Sequence, residues 1–216
     1  MKTGAIFDMD GLMFDTESLY QNAWRQEARR MGITLGDDFV MEICGTNGDL
    51  LLSIVKKYYH TDDPIRIRDA VIQSVEDHLR QEVPVKPGLF EILKYLKEQG
   101  VKLAVASSSY PALIRRNLAN SDTEPYFDAV VSGTNVPNGK PAPDIFLFAA
   151  DQLGIDPKDC YVFEDSINGV HAGLAAGCET VMVPDYVGPD ETVLRSRATV
   201  CASLNEALEK IRSGSL

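Results

Sequence analysis

From residue 84 onward, short apolar segments alternate with helical patterns, and most of the apolar segments run straight into polar or acidic residues. The apolar segments fall at 101–106, 128–132, 160–164 and 179–183, with a short one near 199–201. The helical patterns fall at 88–99, 110–119, 143–153, 166–176 and 203–212. Strands that alternate with helices imply βαβ units, a parallel sheet and right-handed crossovers. One more apolar segment, 3–8, supplies a first strand, in which Ala5, Ile6 and Phe7 lead into Asp8. Between it and the others the pattern is helical throughout, at 16–31, 36–43, 47–59 and 64–82, broken by Gly45, Gly48 and the Asp62-Asp63-Pro64 stop.

The expected fold is therefore α/β, with a Rossmann-like parallel-sheet core (1–15 and 85–216) and a small all-helical domain (16–84) inserted after the first strand. A chain of 216 residues has room for both. The insert should fold over the C-terminal end of the first strand, with hinges at 12–15 and 83–87.

Charge and cysteine usage narrow the function classes. A formal net charge of -11 argues against nucleic acid or an anionic membrane as the main partner, since both reward basic surfaces. The local basic pairs Arg29, Arg30 and Arg115, Arg116 read as solvated helix faces. Cys44, Cys160, Cys178 and Cys201 are scattered, without the spacing of a zinc or disulfide framework, and read as buried thiols in a reducing compartment. No apolar run approaches the ~18 residues of a membrane span, and Asp8 and Asp10 interrupt any signal-peptide core. A cytoplasmic, monomeric protein acting on a small molecule is the expectation.

In a parallel sheet all strand C-termini share one edge, and four of them here carry distinctive chemistry. The first strand ends in Asp8-Met9-Asp10-Gly11, whose two acids start on one side of an extended chain. Carboxylates held that close stay ionised cheaply only with a cation or donors between them. The second strand ends in Ser107-Ser108-Ser109, the third is followed by a loop with Lys140, and the fourth ends in Glu164-Asp165. Hard oxygen ligands with open positions suit magnesium, and the serine and lysine suit phosphate oxygens. Together they point to phosphoryl transfer through an aspartyl-phosphate. Each feature alone also has a structural reading. A serine at a strand end can cap a helix, Lys140 can sit at the surface, and Glu164-Asp165 can cap the helix at 166.

The set as a whole resembles the haloacid dehalogenase-like hydrolase superfamily, in its β-phosphoglucomutase-like and sugar-phosphatase branch with a helical cap. The resemblance rests on Phe7 to Thr16, Val105 to Ser109, Gly139 to Phe146 and Phe163 to Gly173, in the family's order. It implies that Asp8 is the nucleophile and that Asp10 is the general acid for the leaving alkoxide and then the base for water. It implies magnesium (Mg2+) held by the Asp8 side chain, the Asp10 carbonyl and Asp165, with Glu164 as a helper. Ser107, with Ser108 beside it, and Lys140 match the residues that hold the transferring phosphate. The acid at position 10 argues against the family's dehalogenases and phosphonatases.

The helical insert would be the cap, with Tyr20, Trp24, Gly45, Thr46 and Asn47 as candidate substrate residues, although Tyr20 and Trp24 lie four apart on one helical face and suit core packing equally. Family β-phosphoglucomutases carry a histidine in the first cap helix and an arginine after the glycine of the second cap loop. Those positions hold Tyr20 and Gly48 or a near neighbour here. Without that guanidinium fork, a second phosphate loses its bidentate partner. A phosphatase of a small phosphorylated metabolite, most naturally a sugar phosphate, is therefore the expected activity. A mutase and a non-catalytic binding module are the alternatives.

Overall fold

The computed structural model describes every residue except Gly45 and Asn47, so those two candidate substrate residues lie outside the described residues. The chain forms two compact units, Met1–Asp15 with Pro84–Leu216, and Thr16–Val83.

The first unit is built on six parallel strands: β1 (Gly4–Phe7), β2 (Lys102–Ser107), β3 (Ala129–Ser132), β4 (Cys160–Glu164), β5 (Glu179–Met182) and β6 (Thr199–Val200). Their order is β3-β2-β1-β4-β5-β6. The chain steps outward from β1 to β3 on one side, then returns to β4 and steps outward on the other. The order therefore reverses at β1, and the crevice beyond its carboxyl end is the place where such sheets bind ligands. Every residue of β1 and β4 is buried, as continuous apolar runs covered on both faces require.

Helices α5 (Leu89–Glu98), α6 (Pro111–Asn120), α7 (Asp144–Leu153), α8 (Ile167–Ala175) and α10 (Leu204–Ser213) belong to this unit. Helix α7 packs on β1, β2 and β3, with Phe146 and Ala149 meeting Ile6, Ala104 and Val131 in one buried cluster. A one-turn helix, α9 (Glu191–Leu194), was not expected from the sequence; Asp190 caps it by accepting the Val193 N–H. The two linkers lie side by side. Asp15 N–H donates to the Pro84 carbonyl at 2.8 Å and Lys86 N–H to the Met13 carbonyl at 2.8 Å. The Lys86 ammonium then reaches Asp185 at 2.6 Å and Asp15 at 3.3 Å.

The second unit contains α1 (Thr16–Arg30), α2 (Asp37–Ile43), α3 (Gly48–Tyr59) and α4 (Pro64–Leu79). Helix α4 starts at Pro64, with the Asp63 side chain accepting the Arg66 N–H, and buries Ile67, Val71, Val75 and Leu79, one residue per turn. It ends three residues before the periodicity suggests. The centre of this unit is aromatic. Trp24 meets Phe39 and Tyr59 edge-on, with ring centroids 5.9 and 6.1 Å apart, and the Tyr59 hydroxyl donates to the Trp24 carbonyl at 2.6 Å. Among the described residues no helix is long and apolar enough to cross a membrane.

Candidate active site

Strand β1 delivers Asp8 to the crevice. Its N–H extends the ladder to the Phe163 carbonyl at 3.0 Å, and its side chain ends up almost fully covered, the residue being 7% exposed. The chain then turns tightly: Gly11 N–H donates to the Phe14 carbonyl at 2.9 Å, with Gly11 at φ +85°. A Cβ at Gly11 would overlap the Asp165 carboxylate, so glycine serves both the left-handed backbone and the close approach of β1 and β4 loops.

Strand β4 delivers Glu164 and Asp165. Glu164 is buried, and its Oε2 accepts from Ser166 N–H at 2.8 Å and from the Ser166 hydroxyl at 2.9 Å. Ser166 is also the N-cap of α8, its hydroxyl accepting the Gly169 N–H at 3.0 Å. The cap thus fixes the helix and the acid together. A Cβ at Gly169 would overlap the Glu164 carboxylate, which explains a glycine in the first turn of a helix. Lys140 comes from the loop after β3. Its ammonium donates to Asp8 Oδ1, to Glu164 Oε1 at 2.6 Å and weakly to the Ala106 carbonyl at 3.4 Å, and lies 4.9 Å from the Phe146 ring centroid.

Two carboxylates therefore share one buried ammonium, with the third, Asp165, beside them. Burial raises the Asp8 carboxyl to about 7, with Lys140 opposing the rise and Glu164 adding to it. Burial, then Glu164 and Asp8, push Asp165 well above the ordinary range. Burial works against the charge of Lys140, but Asp8 and Glu164 outweigh it and its pKa is raised, so the ammonium keeps its proton. One oxygen each from Asp8, Glu164 and Asp165 lies within 4.8 Å of the others. An all-oxygen donor set with unbalanced negative charge fits a hard divalent cation.

The Asp10 carboxylate is not one of those three and adds to the rise of the Asp8 carboxyl. Its Oδ2 accepts from the Ser109 hydroxyl at 2.9 Å. Ser107 is 1% exposed, and its hydroxyl accepts the Ser109 N–H at 3.1 Å. Ser108 is exposed. Of the serine run, Ser109 is thus the one whose hydroxyl reaches a site carboxylate, and sequence reasoning did not single it out. Three consecutive serines look alike until the turn orients each of them. Ser166 was also missed, although its place between Glu164-Asp165 and a helix is an N-cap signal.

In the helical unit, Tyr20 and Thr46 are partly buried, with the Thr46 hydroxyl donating to the Ile43 carbonyl at 2.7 Å. Trp24 is placed as the core-packing alternative describes. It is 3% exposed and packs edge-on with Phe39 and Tyr59.

A family model described as haloacid dehalogenase-like hydrolase matches residues 5–183. The phosphorylated carbohydrates phosphatase of Thermotoga maritima is 34% identical over 209 residues, which is 96% of this chain and 97% of that protein. The fructose-1-phosphate phosphatase of Escherichia coli (strain K12) is 33% identical over 181 residues, covering 83% of this chain and 95% of that protein. Among solved structures, a candidate β-phosphoglucomutase from Thermotoga maritima has a TM-score of 0.83 at 31% identity, over 99% of both chains. A match that begins in β1 and runs through β5 takes in all four strand ends of the site: the chain belongs to the haloacid dehalogenase-like hydrolases.

Proposed function

We propose that this protein is a magnesium-dependent phosphatase that hydrolyses the phosphate ester of a small carbohydrate through an aspartyl-phosphate on Asp8. The observation that carries the reading is the placement of two acids on one turn. Asp8 is buried against Lys140 among metal-suited carboxylates, while Asp10, two residues on, accepts from the Ser109 hydroxyl. The first environment suits a nucleophile and the second a proton carrier. The names of the relatives support a carbohydrate ester as substrate.

Asp8, Asp165 and the Asp10 carbonyl, with Glu164 helping, would hold the magnesium, which when bound offsets the charge of the phosphoryl group. Asp8 attacks phosphorus as the ester oxygen leaves, and Asp10 protonates that oxygen. Water then attacks the aspartyl-phosphate while Asp10 takes its proton. Lys140 steadies Asp8 in the ground state and offers its ammonium to phosphoryl oxygens as charge moves onto them. Ser107 and Ser108 supply further donors at the end of β2. The Thr16–Val83 unit acts as the cap, excluding water and choosing the leaving group, with Tyr20 and Thr46 as its described substrate candidates. The three buried thiols Cys160, Cys178 and Cys201 are free, in keeping with an enzyme of the reducing cytoplasm, which we take to act as a monomer.

A mutase is the second reading, favoured by the likeness to a candidate β-phosphoglucomutase. Against it stand Tyr20 and the run from Cys44 to Ser53, which contains no arginine. The test is a magnesium-dependent assay on hexose and hexitol phosphates that scores both free phosphate and isomerised sugar phosphate, with Asp8→Asn as blank. Free phosphate from a few esters is the expected result. Glucose 6-phosphate formed from β-glucose 1-phosphate without phosphate release would make the protein a mutase.

A further inference from the structure

We propose that the amino edge of the sheet carries a second anion site, lined by Lys2, Lys158 and Arg197, that takes the phosphate group of a small molecule. It lies at the other end of the strands from Asp8 and stands whether or not the reading of Asp8 holds.

In a parallel sheet the strand starts share one edge just as the strand ends do. Lys2 precedes β1, Lys158 precedes β4, Cys178 leads into β5 and Arg197 precedes β6. These residues, with Glu179 and Thr180 of β5, line a cavity of about 320 Å³. That is about ten waters' share of liquid volume, and it reaches the lower end of the range for small-molecule sites. The lining brings three cations and one carboxylate together in a chain whose formal net charge is -11.

The cations are fixed in place without being cancelled. The Lys2 ammonium donates to the Lys158 carbonyl at 2.8 Å, and Arg197 donates one N–H to the Leu174 carbonyl at 3.1 Å. A carbonyl carries no net charge, and an ammonium has three donors and a guanidinium five. Glu179 lies 3.8 Å from Lys2 Nζ, beyond hydrogen-bond reach. Asp156, outside the lining, pairs with Lys158 at 3.0 Å and with Asp159 holds its ammonium above the usual range, so the lysine stays charged. The positive field reaches the cavity wall. Burial pushes the Cys178 thiol up to about 12, but Arg197 and Lys2 both pull the other way, favouring an anion at that place.

A phosphate group matches this lining better than a carboxylate does. It brings three terminal oxygens and a charge near two, enough to meet three cations and outweigh Glu179. The guanidinium supplies a planar fork and the lysines supply point charges. One bound phosphate would then tie together the starts of β1, β4 and β6.

The test follows amide NMR spectra of isotope-labelled, full-length protein freed of divalent metal. Inorganic phosphate and glucose 6-phosphate are titrated separately, with potassium chloride at matched ionic strength as control. The amides of Gly177, Cys178, Glu179 and Arg197 should shift and saturate with a Kd below about 10 mM. Amides from Asp8 to Gly11 report binding at the carboxyl edge separately. Lys158 and Arg197 are exposed, and Lys158→Gln and Arg197→Gln should each weaken binding at the amino edge about 10-fold while leaving shifts near Asp8 as they were. Lys158→Arg should keep the binding, and the remainder of each spectrum shows that the variant is folded. Tighter binding of glucose 6-phosphate than of phosphate would assign the site to an organic phosphate, and the reverse to the free ion. Shifts that potassium chloride reproduces, that stay linear to about 100 mM, that are confined to Asp8–Gly11 or that survive both glutamine variants would overturn the proposal.

Discussion

At the carboxyl edge of β1 the α/β unit buries charge: three carboxylates and one ammonium, packed against glycines that leave no space to spare. The centre of the helical unit buries rings instead, with Trp24, Phe39 and Tyr59 edge-on to one another and the Tyr59 hydroxyl bonded to a backbone carbonyl. Burying rings stabilises a fold through area and packing and asks nothing of the solution. Burying unbalanced charge opposes folding and leaves the site dependent on protons and cations. The difference teaches which unit should answer to chemistry and which only to truncation. It can be measured separately in the two, because the protein's only tryptophan, Trp24, reports the helical unit alone.

The largest effect is expected at Asp8. Asp8→Asn should reduce turnover on the order of 10⁴- to 10⁶-fold, as removal of a nucleophile does. Its circular dichroism should match wild type, and its melting temperature should hold or rise, since asparagine has no charge to bury. Appreciable phosphate release by a pure sample would remove Asp8 as nucleophile.

Next come two truncations of similar size and different character. Lys140→Met leaves Asp8 and Glu164 without their shared cation, a change that typically costs about 3–5 kcal/mol. Magnesium should recover part of that loss. Trp24→Ala empties the aromatic centre at a cost of about 3–5 kcal/mol, and magnesium should recover none of it. In Lys140→Met the circular dichroism transition should fall further than the Trp24 fluorescence transition. Equal shifts of the two would mean that the units unfold as one and that the contrast between them does not survive in solution.

What could be read in the sequence divides along the same line. Asp8, Lys140, Glu164 and Asp165 were legible because each ends a strand or follows one, and a parallel sheet gathers strand ends whatever the packing details. The parallel sheet follows from the alternation of elements, but the order of its strands does not. Ser109 was not legible, because its contact with Asp10 depends on the rotation of a turn that any of three serines could have filled. Trp24 was left open for a related reason: spacing places a ring on a helical face but does not say whether that face meets neighbours or a ligand. The short helix at Glu191–Leu194 lacks enough turns to show a period at all.

Protons should move the α/β unit less than truncation does. A carboxyl raised from 3.8 to about 7 keeps a proton in the folded state that the unfolded chain has already released, so the stability it contributes falls as pH rises through that window. With a chelator present, the circular dichroism melting temperature should fall between about pH 5 and 7.5. Adding magnesium should restore more at the upper pH than at the lower. The Trp24 fluorescence transition should follow this trend weakly, and a fluorescence shift as large as the dichroism shift would again join the two units.

The smallest effect is expected where the hydrogen-bond geometry looks best. On the surface of the helical unit Glu42 accepts from Lys57 Nζ at 2.8 Å through both oxygens and from the Tyr58 hydroxyl at 2.8 Å, joining α2 to α3. These bonds hold the Glu42 carboxyl below its usual range. All three groups face solvent, however, where water competes for every bond and salt screens the charges. Tyr58 also keeps its ring against Phe39, 5.2 Å between centroids, whether or not Glu42 is there. Glu42→Ala should therefore move the Trp24 fluorescence midpoint by no more than about 1–2 °C at low salt, and by nothing measurable in about 0.5 M sodium chloride. A shift approaching that of Trp24→Ala would show that charge, and not the aromatic centre, holds this unit together.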